Sequence, residues 1–132
     1  MAYVSDHEPY GLSLFGADPP PEKIGRGLLD GVVHVGDRGL IDWLDGVDLV
    51  IQDTQYTPEE YPKKIGWGHG TTDYVTDVAV LARAKRLALF HHDPLHDDSF
   101  IDAMVAYARQ RAAESEAPIE IFGAAEGQEL EL

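Results

Sequence analysis

The chain predicts an α/β fold in which short buried strands alternate with amphipathic helices. Two continuous apolar runs, Val47 to Gln52 and Leu87 to Phe90, have the length of strands covered on both faces. Val75, Val78, Ala79 and Ala82 recur at helical spacing, as do Ile101, Met104, Val105 and Ala108 further on. The resulting order is strand, helix, strand, helix, strand, helix, strand. That alternation is a layered α/β architecture, and no internal repeat is visible.

The first strand is Ala2 to Ser5, which runs into the polar group Asp6-His7-Glu8-Pro9. Residues 11 to 36 are rich in Gly and Pro, centred on Pro19-Pro20-Pro21, and show no clear period. Asp37 then reads as the N-cap of a short helix with Leu40, Ile41 and Leu44 on one face, stopped by Gly46. After the Val47 to Gln52 strand, Thr57-Pro58-Glu59-Glu60 combines a capping hydroxyl, a first-position proline and first-turn acids, a helix start that Pro62 limits to about one turn. Thr71 or Thr72 caps the next helix, which leads to the strand Leu87 to Phe90. A longer helix spans about Asp98 to Glu114. Ile119 and Ile121 form another strand, and Leu130 with Leu132 a last, exposed one.

At 132 residues the chain has the length of a single domain, 1–132, with enough apolar content to bury a core. It has no cysteine, which excludes disulfides, thiolate catalysis and thiolate zinc sites. No apolar run is long enough for a membrane helix, and the N-terminus lacks the features of a secretory signal, so a cytoplasmic location is expected. The net charge of -14 comes from 24 acidic against 10 basic residues. A surface of that sign is unsuited to a long polyanion, so nucleic acid is an unlikely partner, although a small phosphate ester remains accessible through local cations.

The chemistry concentrates where apolar runs end. Asp6 closes the first strand and Asp53 the second, placing carboxylates on rigid backbone where they can hold a cation or orient an imidazole. His69 sits in Gly66-Trp67-Gly68-His69-Gly70-Thr71, whose glycines permit a sharp turn and close approach to a ligand. His91 opens the polar loop His91-His92-Asp93-Pro94, where a neutral imidazole suits zinc or a similar metal. Each also has a plainer reading as a turn, cap or loop residue. By strand alternation His92 points the other way, and Pro94 speaks against His92 and His96 as a helical metal pair. His7 and Glu8 read equally well as surface loop residues, and Tyr56, Tyr61 and Trp67 as packing or pocket aromatics. A Walker loop is absent, and Ser13 lacks the second glycine of a nucleophile elbow.

Taken in order, Tyr3-Val4-Ser5-Asp6, Asp48 to Tyr56, Gly68-His69-Gly70-Thr71 and Phe90-His91-His92-Asp93-Pro94 resemble the C-terminal half of the metallo-β-lactamase-fold hydrolases, especially the ribonuclease Z and cyclic phosphodiesterase branch. The resemblance implies half of an αββα sandwich, one mixed sheet with helices on one face. It implies Asp6 as the carboxylate bridging two metal ions and His91 as the last histidine ligand. His69 resembles the histidine that protonates the leaving group, with Asp53 as the acid that orients it. Gln52 departs from the histidine often found before that acid. The His-x-His-x-Asp-His hallmark, which supplies most ligands, is absent from this chain.

The expectations that follow are a metal-dependent hydrolase of phosphodiester or related ester bonds, using a divalent metal, by resemblance zinc, at a site completed elsewhere. Its partners would be a second copy of the chain or a separately encoded N-terminal half, and a small phosphoester substrate. Two rivals differ in class: a non-catalytic interaction module pairing through an uncovered sheet face, and a metal-independent enzyme built on Asp53 and His69.

Overall fold

In the computed structural model, which describes residues 1–10 and 35–132, four strands lie side by side in sequence order: β1 (Ala2–Val4), β2 (Val50–Asp53), β3 (Arg86–Phe90) and β4 (Glu120–Gly123). All three pairings among the described residues are parallel, so the sheet is not mixed as the resemblance implied. The cause is local: a helix follows each of the first three strands and returns the chain to the same end of the sheet, which only a parallel neighbour can accept. These helices are α1 (Arg38–Trp43), α2 (Thr72–Leu81) and α3 (Asp98–Glu114). Helix α2 contacts both α1 and α3 as well as β2 and β3, so the three form one layer on one face.

Pairing register decides which residues meet that layer. Ala2, Val4, Val50, Leu87, Leu89 and Ile121 point to it and form the core with Leu44, Val75, Val78, Ala79, Val105 and Ala108. Burying an aliphatic side chain of this size stabilises by roughly 1.5–3 kcal/mol, so this single seam supplies most of the driving force. The opposite face carries Tyr3, Ile51, Ala88, Phe90 and Phe122, by the same register. No helix covers it among the described residues: Tyr3 is 53% exposed and Phe90 37%, their rings meeting edge to face at 5.6 Å.

Several expectations are corrected at element ends. Asp37 occupies the N-cap position of α1, but its carboxylate makes no cap hydrogen bond; it accepts instead from the hydroxyl of Tyr74 at 2.8 Å. Burial and that carboxylate hold the Tyr74 phenol well above its usual range. Thr57 and Glu60 do form a reciprocal capping box, with the Thr57 N–H donating to Glu60 at 2.9 Å, yet it opens only turns and a short 3₁₀ helix, Tyr61–Lys63. Thr71 caps α2 without a side-chain bond, and the Thr72 hydroxyl donates to the Tyr56 carbonyl. Helix α3 runs over the expected residues and is capped by Asp97, which accepts from the Phe100 N–H at 2.8 Å. Leu130 and Leu132 form no strand; the tail is tied back where Arg86 donates to the Glu131 carbonyl. The expected Gly/Pro-rich stretch of residues 11 to 36 falls mostly outside the described residues, as does Ser13. No helix is long and apolar enough to cross a membrane among the described residues.

Helices α2 and α3 are locked by an ion pair from the partly exposed Arg111 to the buried Asp77, at 2.5 and 2.7 Å. Burial pushes the Asp77 carboxyl up to about 6, against the pull of Arg111. A carboxyl raised in the folded state contributes stability fully present below its unfolded value and lost as pH climbs through the folded one. The loss falls between the ordinary 3.8 and the raised value of about 6. Asp77→Asn is therefore expected to flatten this part of the stability profile, measured as urea midpoints across that range. Parallel profiles for the two proteins would refute it.

Candidate metal centre

In a parallel sheet every strand ends at the same edge, and the loops leaving that edge collect the functional groups. Asp6 follows β1, Asp53 ends β2 and His91 follows β3. His69 reaches the same edge by another route. A parallel bridge between Tyr56 and Thr71 closes the base of the intervening loop, with the Tyr56 N–H donating to Gly70 and the Thr72 N–H to Tyr56. Gly70 makes that closure feasible: a Cβ there would stand 2.5 Å from the Asp53 carbonyl oxygen and 3.0 Å from Val75. Gly68, at φ +88°, supplies the turn just before His69.

The structure brings together all four residues singled out from the sequence. One ligand atom from each of Asp6, Asp53, His69 and His91 lies within 4.8 Å of the others. His69 Nδ1 donates to Asp53 Oδ2 at 2.7 Å and stands 3.7 Å from Asp6 Oδ1. His91 Nδ1 is 3.5 Å from Asp53 Oδ1 and 3.8 Å from Asp6 Oδ1, and the two imidazoles meet edge to face at 5.0 Å. Asp6 and His91 both take left-handed backbone, φ 47° and 58°. Aspartate and histidine are among the non-glycine residues that tolerate this best.

Asp53 is the electrostatic centre of the group. Its side chain is fully buried, and burial raises its pKa while the His69 hydrogen bond opposes the shift. Its Oδ1 makes no hydrogen bond and lies on the side of His91 and Asp6. A buried carboxylate oxygen without a partner costs about 1–3 kcal/mol, a penalty a cation at this point would remove. The set of two carboxylates and two imidazoles also suits zinc or another divalent first-row metal by chemical type. The residues present therefore fit a metal ion.

Other residues act around this group. Glu8, which sequence treats as an ordinary loop acid, accepts from the Tyr61 hydroxyl at 2.5 Å and the Gly66 N–H at 2.6 Å, pinning the loop that delivers His69. Glu60 accepts from His96 at 2.8 Å, tying the same loop to the segment before α3, where His96 stacks on Phe100. No local signal marks either tie, because each joins residues more than thirty positions apart. His7 bonds the Tyr74 hydroxyl at 3.0 Å, away from the cluster. His92 is half-buried beside Gly123 and Ala124, neither ring nitrogen makes a well-formed hydrogen bond, and burial lowers its pKa. His92 and His96 do not form a helical pair, since α3 begins beyond both. Tyr56 and Tyr61 are buried, and Tyr56 packs edge-on to the His69 ring at 6.0 Å. Trp67 is exposed.

No family profile matches the chain. A 73-residue segment is 36% identical to ribonuclease Z of Sulfurisphaera tokodaii, taking in 52% of this chain and 24% of that protein. The chain thus spans about a quarter of the length of the curated relative it matches.

Proposed function

We propose that this chain is the C-terminal half of a metallo-β-lactamase-type metal-dependent hydrolase acting on phosphodiester or related ester bonds. The observation that carries the reading is the convergence of Asp6, Asp53, His69 and His91 around an unpartnered buried carboxylate oxygen. The similarity to ribonuclease Z over 73 residues supports it independently.

In this reading Asp6 and His91 contribute ligands to a divalent cation, and Asp53 Oδ1 is placed to join them or to accept from a bound water. When present, the cation supplies a Lewis acid and a water activated near neutral pH. The protein's own contribution is proton handling. Asp53 Oδ2 holds the Nδ1 proton of His69, which fixes the ring and leaves Nε2 free to face a substrate. A proton carried on Nε2 passes to the departing oxygen, and the ring stays bonded to Asp53 throughout. The hydrogen bond to Asp53 keeps the His69 ring from rotating away.

Two protein ligands beyond the proton-handling pair are too few for a catalytic metal site, which takes about three plus water. The reading therefore needs His-x-His-x-Asp-His ligands from outside these 132 residues, on the other part of a longer protein or on a separately encoded half. The sheet face with Tyr3, Phe90 and Phe122, which no described helix covers, is the surface on which those ligands' part of the fold would sit, or failing it a second copy of this chain. The same face supports the alternative reading, a non-catalytic module that pairs through it.

The test is hydrolysis of bis(4-nitrophenyl) phosphate by the chain joined to, or co-expressed with, a His-x-His-x-Asp-His half. Turnover should be abolished by a chelator, restored by divalent metal, and reduced by about 10²–10⁴ in His69→Ala. Chelator-resistant turnover, or full turnover without His69, would leave the reading without support.

A further inference from the structure

The loop between β2 and α2 holds a cation that the proton-handling pair does not use. The Lys64 ammonium lies 4.0 Å from the centroid of the Trp67 ring and 5.6 Å from that of Tyr56, and Tyr56 in turn packs against His69. Among the described residues Lys64 makes no ion pair, whereas Arg83, Lys85 and Arg111 each bind a carboxylate, and Arg86 and Arg109 donate to backbone carbonyls. Aromatic faces hold a cation through the ring quadrupole and leave its N–H donors open to an acceptor. Trp67 is 61% exposed on a loop that Glu8 and Glu60 fasten at separate points, so its position is set by the loop and not by burial of its own. In a chain of net charge -14, an anion approaching His69 is repelled except where an unpaired cation stands.

We propose that Lys64 is an anion-binding residue of this site, held between Tyr56 and Trp67 so that its ammonium takes a charged oxygen of a phosphate ester beside His69. Trp67 is then a positioning residue for Lys64. This rests on the phosphoester reading above and adds the residue that recognises the anion. The surface charge favours a small ester over a polymer, since Lys63 and Lys64 are isolated among acidic residues.

The experiment uses the two tryptophans, Trp43 and Trp67, as reporters. The full chain is labelled at the indole nitrogens, kept in chelator, and titrated with phenyl phosphate and with inorganic phosphate at constant ionic strength, following both N–H signals by NMR. The Trp67 signal should move and saturate, while the Trp43 signal stays still as an internal control. Lys64→Met should raise the dissociation constant at least tenfold and Lys64→Arg should restore it. Lys63→Met, which makes the same change in net charge, should alter it less than twofold. Equal effects of Lys63→Met and Lys64→Met would overturn the proposal, as would unchanged affinity in Lys64→Met or joint movement of both signals. Lys64→Gln serves if the methionine variant loses its dispersed spectrum. Because the titration is metal-free, its failure would leave the metal reading standing, and failure of metal binding would show separately in calorimetry.

Discussion

Asp53→Ala is expected to abolish measurable metal binding by this chain and to leave the sheet folded. The carboxylate is fully buried, bonds His69 through one oxygen and presents the other, unpartnered, toward His91 and Asp6. Removing it deletes one potential ligand and also the hydrogen bond that holds the His69 ring. Asp53 Oδ1 also stands 3.5 Å from Nδ1 of His91, and loss of such a neighbour of a ligating histidine typically costs about 10- to 100-fold in metal affinity. Loss of the ligand adds to that, so a drop of at least about 100-fold is expected. Stability should move the other way or little, because the substitution also removes a buried oxygen that has no hydrogen bond. Isothermal calorimetry with zinc and manganese, beside thermal melts of chelated protein, would separate the two effects. Unchanged metal affinity would refute the placement of Asp53 at the centre.

Self-association through the open face is the second large effect. Parallel sheets are normally covered on both faces, and here one face presents Tyr3, Ile51, Phe90 and Phe122 without a covering layer among the described residues. Exposed apolar area costs about 25 cal/mol per Å², and a patch joining two aromatic rings across three strands is a strong driver of pairing. Light scattering is expected to report at least twice the 14.5 kDa chain mass, or apolar-dye binding where the chain stays monomeric. Phe90→Lys should return the protein to monomer and remove dye binding, because a cation at the centre of the patch cannot be buried without a partner. A monomer at high concentration that binds no dye would count against both the half-fold and the interaction-module readings.

The elements that sequence specifies well are those whose pattern is local. Helix α3 has a full periodic stripe and a capping aspartate, and β3 is a short apolar run between polar ends, so both are found where expected. Sequence reasoning fails where tertiary contacts outbid local preference. Asp37 has the residue type and position of a cap, but the buried Tyr74 hydroxyl takes its carboxylate. The capping box at Thr57 and Glu60 forms without a regular helix, because Pro62 and the ties to Glu8 and His96 fix the segment as a loop. The parallel sheet differs from the mixed one implied by resemblance, since the described strands are all joined by crossover segments.

The four site residues could be picked out because each stands next to the polar end of an apolar run or in a glycine-rich turn. How His69 arrives beside Asp53 could not be seen there. It depends on Gly70 packing against the Asp53 carbonyl and on a bridge between Tyr56 and Thr71. Gly70→Ala accordingly should displace His69 from Asp53 and lower turnover of the completed enzyme at least about tenfold, although neither residue of the pair is altered.

Asp6, Asp53, His69 and His91 are expected to hold a divalent cation with fewer ligands than a full catalytic site offers. Calorimetric titration of the chelator-treated full chain with zinc tests it most directly. Weak binding of one ion per chain is expected, abolished in Asp6→Ala and His91→Ala and kept in Asp93→Ala, a nearby acid outside the cluster. Binding that survives loss of both Asp6 and His91, or tight binding of two ions by a monomer, would contradict it.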